Sequence, residues 1–425
     1  MLPVEQTADQ CIKCNVCNTV CPVSAVTDLF PGPKYEGPQA QRFRARPDDG
    51  SPDASLDWCS GCGLCTQACP EGVMIAEINT VARSRLVDDR GGLRLRDQLI
   101  SRPRLLGRLT RPVAPLANAV MANPLARTVI ERTIGVHRDA PMPWFSPIGF
   151  RGWVRRHPRP QGARRTVAYF HGCAVDEFEP AVGATVVRVL ERNRMAVEIP
   201  SQGCCGLPLI SNGGFTAARR YADKLVARLA DSAADPGTIV ANSTSCGMTL
   251  KAKYRELLGM DSGAAAQVAE AVWDVCELLV ELHHRGELDT GFGRITARAV
   301  YHPPCQLMAH GVGTPALDLL ALVPGLEVEL SRAGCCGTAG TYGTKVEKYQ
   351  VAMDVGQTLF DQVAEARPDF VVCDSETCRW HIAKATGLPV YHPVQVLDHA
   401  YTLASDRVGP ADPASKGDRW RSHSA

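Results

Sequence analysis

Eighteen cysteines mark this 425-residue chain, and their spacing carries more information than their number. Eight lie between Cys11 and Cys69, and the other ten lie between Cys173 and Cys378. The run Cys11-x2-Cys14-x2-Cys17-x3-Cys21-Pro22 recurs as Cys59-x2-Cys62-x2-Cys65-x3-Cys69-Pro70. Each run is the bacterial ferredoxin pattern for a 4Fe-4S cluster. Three closely spaced thiolates wrap one corner of a cubane, and the fourth comes from the other run. By that two-cluster rule Cys11, Cys14, Cys17 and Cys69 hold one cluster, and Cys59, Cys62, Cys65 and Cys21 hold the other. Structural zinc sites use two separated Cys-x2-Cys pairs and give the repeated Cys-Pro endings no role.

The later cysteines repeat at a longer period. Cys173, Cys204-Cys205 and Cys246 recur, in the same order and at nearly one offset, as Cys305, Cys335-Cys336 and Cys378. This is an internal duplication of about 130 residues, a pair of domains rather than a solenoid. Each doublet precedes a glycine. Neighbouring side chains on a strand point to opposite faces, so two adjacent thiols share a site only where the chain bends. Convergence of four thiols on one metal centre per half explains the pattern better than a vicinal disulfide or isolated buried thiols. Cys373 is an additional thiol in the second half. Cys276 aligns with Gln395 and reads as a small core residue. His171 and His302, just before the first cysteine of each set, are candidates to donate to cluster sulfur from a second layer. A satisfied histidine at a strand end fits them equally.

The elements that position these residues follow from periodicity. Short apolar segments at 166–170, 196–199, 238–241, 297–301, 326–330 and 369–373 alternate with helical stretches. That alternation predicts βα units on mostly parallel sheets. Each cysteine then follows a strand, where ligand sites of open α/β sheets lie. The stretch between Cys21 and Cys59 is long for a compact ferredoxin hairpin and points to a mainly helical module. Residues 91–165 carry fifteen arginines, no lysine and three acids (Asp97, Glu131, Asp139), a net of +12. The whole chain is +1, so the remainder carries −11. Nine prolines there predict short broken helices. This basic, partly apolar stretch is either a connector with solvated arginines or a surface for anionic lipid head groups.

The fold class is thus α+β multidomain: a helical two-cluster ferredoxin domain (1–90), a Pro/Arg-rich linker (91–165), a first (166–290) and second (291–404) Cys-Cys-Gly domain of duplicated α/β type, and a disordered tail (405–425). Near-neutral charge and 6% aromatics argue against nucleic acid as a partner. There is no basic n-region with an apolar h-region at the N-terminus, and no apolar run long enough to span a bilayer. The cysteines therefore sit most naturally in a reducing cytosol.

The sequence resembles the iron–sulfur subunits of respiratory dehydrogenases, which include glycolate oxidase, lactate-utilisation and heterodisulfide reductase subunits. It is most similar to the C-subunit family of anaerobic glycerol-3-phosphate dehydrogenases. The resemblance is carried by Cys11-Ile-Lys-Cys14 through Cys21-Pro-Val-Ser24, Phe30-Pro-Gly-Pro-Lys34 with Gly37-Pro38, and Phe170-His-Gly-Cys173. It is also carried by Cys204-Cys-Gly-Leu-Pro-Leu-Ile210, Cys335-Cys-Gly-Thr-Ala-Gly-Thr-Tyr-Gly343 and Glu376-Thr-Cys-Arg-Trp380. It implies an electron-transfer subunit that takes electrons from a flavoprotein subunit, with a third subunit in some complexes. Menaquinone is then the electron acceptor, at the cytoplasmic face of the membrane, and substrate oxidation belongs to the flavoprotein. The alternatives are a related quinone-linked glycolate or lactate oxidase subunit, or a heterodisulfide-reductase-like protein whose domains reduce a disulfide. A regulatory sensor would need an output module that the sequence lacks. Family members often end each domain in Cys-x2-Cys, giving five thiolates per cluster. Here Ser243 and Ser375 stand at the first of those positions. Cys373 stands near enough to substitute in the second half; the first half keeps four thiolates or holds no cluster. The cofactors implied are two 4Fe-4S clusters, with one or two further iron–sulfur clusters in the Cys-Cys-Gly domains.

Protein purified without oxygen should carry about eight irons in its N-terminal domain. Cys14→Ser should remove one cluster's spectroscopic signal and weaken folding, because cluster binding is also folding energy. Zinc in place of iron after anaerobic reconstitution would contradict this reading.

Overall fold

The computed structural model describes residues 3–44, 54–158, 162–234 and 237–405. The tail predicted to be disordered lies, from residue 406 on, outside the described residues. No strand occurs among the described residues before Arg165. The N-terminal region consists of short helical turns followed by the helix Ile75–Asp89. The arginine-rich segment folds as short helices: Leu95–Ile100, Pro103–Thr110, Ala114–Ala122, Pro124–Ile134 and Phe150–Val154. Proline sits in the first turn of three of them, Pro103, Pro115 and Pro124, where its missing N–H removes no helical bond.

Two four-stranded parallel sheets follow. The first has the order β2-β1-β3-β4, with β1 Arg165–Phe170, β2 Met195–Glu198, β3 Ile239–Ala241 and β4 Val272–Asp274. The second repeats the topology as β6-β5-β7-β8, with β5 Ala297–Tyr301, β6 Leu326–Leu330, β7 Phe370–Val372 and β8 Val390–Tyr391. In each sheet the first strand lies between the second and third, so the chain reverses its winding at that strand. The carboxyl ends of these three strands are the crevice where an open α/β sheet holds ligands. The fourth strands, β4 and β8, were not predicted. They are three and two residues long, too short for a period of two to register.

The two halves share one hydrophobic core, in which Tyr169, Leu190 and Leu279 of the first meet Tyr301, Leu319 and Leu397 of the second. The first half's helix Pro180–Arg192 packs on Pro393–Ser405 of the second. Its helix Val275–His284 packs on Pro315–Ala321. Each half therefore covers its partner with equivalent helices. Polar contacts close the same seam. Arg379, nearly fully buried, pairs with Glu179 across the halves, and the Trp380 ring N–H donates to that same carboxylate at 2.7 Å.

A pair of buried acids also lies on this seam. Asp274, Cys276 and Asp374 bring their ligand atoms within 4.8 Å of one another. Asp274 caps the helix Val275–His284 by accepting the Cys276 N–H at 2.8 Å, and Asp374 accepts the Tyr301 hydroxyl. Burial first, and the neighbouring Asp374 carboxylate second, push Asp274 well above its ordinary 3.8. The unfolded chain releases this proton near its ordinary pKa, whereas the folded chain keeps it. The stability gained from the neutral acid is complete below the unfolded pKa and is lost as pH rises through the raised value. Asp274→Asn keeps the capping oxygen. It should match the parent in thermal unfolding at about pH 4 and exceed it by several degrees at about pH 9. Equal melting of the two proteins at both pH values would show that Asp274 is ionised in the fold.

Candidate metal centres and the chamber between them

The chain bends around each N-terminal motif in the same way. Lys13 and Asn15 in the first run, and Gly61 and Gly63 in the second, all adopt positive φ. Lysine and asparagine in this conformation cost about 1 kcal/mol each relative to glycine, so the first turn is held by something beyond local preference. Inside them the thiols sort into crossed sets. One small cavity is lined by Cys11, Cys14, Cys17 and Cys69, and another by Cys21, Cys59, Cys62 and Cys65. Burial, then the adjacent thiols of Cys11, Cys69 and Cys14, push Cys17 up to about 11. Gathered thiols that repel one another's ionised forms are what a cation-rich cluster relieves. The buried Asn79 donates to the Cys59 sulfur at 3.6 Å, and its own side-chain oxygen has no partner. Sequence spacing gave no sign of this residue.

The Cys-Cys-Gly sets form at the strand ends. In the first half, the Cys173 and Cys204 sulfurs lie 3.7 Å apart and those of Cys205 and Cys246 3.3 Å apart. In the second half, the Cys335 sulfur accepts from the thiols of Cys305 and Cys336, and Cys336 also lies against Cys378. The glycine after each doublet has positive φ, and its N–H points back at the first sulfur: Gly206 to Cys204 at 3.4 Å and Gly337 to Cys335 at 3.3 Å. The thiol of Cys305 first, then that of Cys336, and the Gly337 N–H hold Cys335 well below the ordinary thiol range despite burial. Cys204 is lowered in the same way, by Cys173 first and Cys205 second. A thiol held toward the thiolate is a ready metal ligand.

The halves differ. Cys373 is fully buried and hydrogen-bonded to Cys378, so five thiols gather in the second half. The equivalent of Cys373 in the first half is Ala241, and Ser243 there caps the helix that carries Cys246 by accepting its N–H. Cys276 is buried on the seam between the halves, away from the sulfur contacts of the first set. His302 bonds Ser331 through Nδ1, and its buried Nε2 has no partner. The thiolates of Cys378 and Cys335 act on His302. His381, which the spacing argument overlooked, is buried beside the same two thiols, and its Nε2 is also unpartnered. His381 gives its ring proton to the Ala352 carbonyl, whereas His302, whose Nδ1 can accept from the Ser331 hydroxyl, is the ring able to turn an N–H toward a sulfur-rich group bound there. His171 also has a buried Nε2 without a partner, but its Nδ1 bonds the Gly172 carbonyl, and its ring packs against Phe150 and Tyr169.

The ferredoxin and Cys-Cys-Gly regions meet at their sulfurs. Cys59 and Cys62 share a buried cluster of side chains with Cys305 and Cys335. Gln306 donates to the Gly61 carbonyl at 3.3 Å, and Lys348 reaches Asp57 while lying over Trp58 and Tyr342. Arg83 ties the Leu56 and Cys59 carbonyls to that of Ser211 in the first half. Sulfurs of both Cys-Cys-Gly sets line one chamber of about 230 Å³.

The sequence matches established families along most of this architecture. Residues 7–73 match the 4Fe-4S dicluster domain, and residues 167–251 and 299–383 match the cysteine-rich CCG domain. The chain is 34% identical over 399 residues to the C subunit of anaerobic glycerol-3-phosphate dehydrogenase of Escherichia coli K12, covering 92% of this chain and 98% of that protein. It is 26% identical to the B subunit of the fumarate reductase (CoM/CoB) of Methanothermobacter marburgensis, over 92% of this chain and 72% of that one. It is 24% identical to the glycolate oxidase iron-sulfur subunit of Escherichia coli K12, over 92% and 93%. With two ferredoxin motifs, a duplicated Cys-Cys-Gly domain and similarity along nearly its whole length, this chain belongs to the C-subunit family of anaerobic glycerol-3-phosphate dehydrogenases, an iron–sulfur oxidoreductase family.

Proposed function

We propose that this chain is the electron-transfer subunit of a membrane-associated glycerol-3-phosphate dehydrogenase, passing electrons from a flavoprotein partner to menaquinone. The observation that carries this reading is the continuous series of cysteine sets. It begins at the exposed Cys14, continues through the set that includes Cys62, and reaches Cys305 and Cys335 beside it. Cys11, Cys14, Cys17 and Cys69 would hold one 4Fe-4S cluster and Cys21, Cys59, Cys62 and Cys65 a second. Cys305, Cys335, Cys336 and Cys378, with Cys373, would hold a further one, and Cys173, Cys204, Cys205 and Cys246 are the candidates for a fourth. When bound, such clusters supply one-electron carriers. The protein around them contributes burial, N–H donors and a fixed order.

The surface supports two different partners at the two ends of the series. Among the described residues, 22 large hydrophobic side chains are exposed. Seven lie between Ile12 and Phe43, around the first thiol set, and suit a docked flavoprotein subunit. Thirteen lie between Leu95 and Ile148, in the arginine-rich segment. That segment's short helices set Leu105, Leu109, Leu116 and Leu125 among arginines, which matches an interfacial contact with anionic lipid. No described helix is long and apolar enough to cross a membrane.

Cys378→Ala should abolish quinone reduction by the assembled complex and lower iron content while leaving both ferredoxin signals intact. Unchanged iron and unchanged quinone reduction would reduce the second half to a scaffold. The purified protein should also float with vesicles containing anionic lipid at low salt and release at high salt, since each arginine near the surface contributes about 1 kcal/mol. Binding indifferent to lipid charge and salt would assign the apolar linker surface to a protein partner.

A further inference from the structure

The linker is a wall as well as a tether. Residues 136–145 run from the second Cys-Cys-Gly half to the first, along the side of the 230 Å³ chamber that both sets of sulfurs line. The run is fastened at both ends. Val136 pairs with Lys345, the His137 N–H donates to the Thr344 carbonyl at 2.9 Å, and the His137 ring stacks on Tyr349 at 3.8 Å. Arg127, buried, binds the carbonyls of His137, Arg138 and Ala140. At the other end Asn118 clamps the backbone of Phe145 through both its N–H and its carbonyl, each at 2.9 Å. Ser146 then donates to the Glu177 carbonyl of the first half. So secured a segment, with no catalytic side chain of its own, serves to enclose something.

What it encloses is shown by the lining. Apart from the thiols, Leu106, Val136, Phe145, Phe178 and Trp380 make the chamber apolar and partly aromatic. Two deeply buried cations line it, Arg83, whose guanidinium is taken by the carbonyls of Leu56, Cys59 and Ser211, and Lys253. Lys253 is 6% exposed and has no carboxylate within ion-pairing distance among the described residues. Glu256 acts on it only from beyond ion-pairing distance, and a buried ammonium with no acceptor in contact is costly unless a ligand supplies one. At the outer edge Met142, 37% exposed, lines the chamber next to the exposed Trp144 and Ile148. The lip is therefore apolar and belongs to the same basic segment that carries the exposed leucines.

We infer that the part of this chamber left beside the groups held by its thiols is the binding site for the ring of a quinone, with Lys253 donating to a ring carbonyl and the tail leaving past Met142 and Trp144. The inference rests on the proposed quinone-reducing role and adds where the ring binds. A flat ring suits the aromatic walls, a carbonyl oxygen suits the single ammonium, and an isoprenoid tail suits the apolar lip. A charged disulfide cofactor would instead call for several free cations, and of the two buried in the wall Arg83 is already taken by backbone carbonyls.

The test uses anaerobically purified, cluster-loaded protein and two probes: menadione, a naphthoquinone ring without a tail, and an azido-naphthoquinone photolabel. Menadione should quench tryptophan fluorescence saturably, and the photolabel should map to residues 136–148 or to the Trp380 peptide and be displaced by menadione. Lys253→Met should weaken menadione binding about tenfold or more, the loss of one charge-assisted hydrogen bond, and Lys253→Arg should restore most of it. Met142→Trp, at an exposed position that folding tolerates, should block the lip and reduce labelling without lowering iron content. Saturable menadione binding with the label elsewhere, untouched by these variants, would overturn the site while leaving the quinone reading intact. Absence of menadione binding, with a thiol-cofactor disulfide bound in the chamber instead, would overturn both.

Discussion

Two adjacent thiols can address one centre only if the backbone turns sharply between them, and the rest of the second half is built around that turn. Gly337 sits at φ +93°, and a Cβ there would stand 1.9 Å from the Ala352 carbonyl oxygen. From the other side, a Cβ on Gly356 would stand 2.6 Å from the carbonyl of Cys336. The doublet is therefore pressed onto the helix Tyr349–Ala366 with a glycine on each face of the contact. That helix also brings Tyr349 to the linker, and just before it Lys348 reaches the ferredoxin domain. One backbone approach thus sets the positions of the thiols, the linker and the neighbouring thiol set together. The first half turns at Gly206 with more room, since a Cβ there would keep 3.4 Å from its nearest neighbour.

Duplication gave two equal frames that have since diverged in chemistry. The shared helices keep the frames facing one another, and the seam holds groups that neither half could bury alone, namely Arg379 with Glu179 and Asp274 with Asp374. Buried polar groups of this kind add little net stability but penalise any other alignment of the halves. The second half has acquired Cys373 and His381 where the first has Ala241 and Thr249. A fifth thiol and a second buried imidazole make the second set the richer ligand field, and it is the set that borders Cys62.

Much of this was legible in the residues because metal chemistry dictates spacing. The crossed thiol sets, the duplicated Cys-Cys-Gly pattern and the strands that precede each cysteine all follow from local pattern. What escaped was held by contacts distant in sequence. β4 and β8 are too short to show a period, and their pairing with β3 and β7 defines them. His381 and Asn79 face sulfur only after folding. The arginine-rich segment reads as a basic connector, yet Arg96, Arg111 and Arg127 are engaged by Glu347, Glu177 and backbone carbonyls, and 136–145 is structural wall. Charge count shows how many arginines there are, not which are already partnered.

The route of the linker has a consequence for how the protein is made. Residues 135–137 rest on residues 344–346, which leave the ribosome only after the whole first half and the opening strands of the second. Until that late segment is synthesised, the stretch that walls the chamber is held only by its own neighbours Arg127 and Asn118 and by Glu177 of the first half. The first Cys-Cys-Gly thiol set, complete at Cys246, therefore faces a side that is only half fastened until the second half has been made through its doublet.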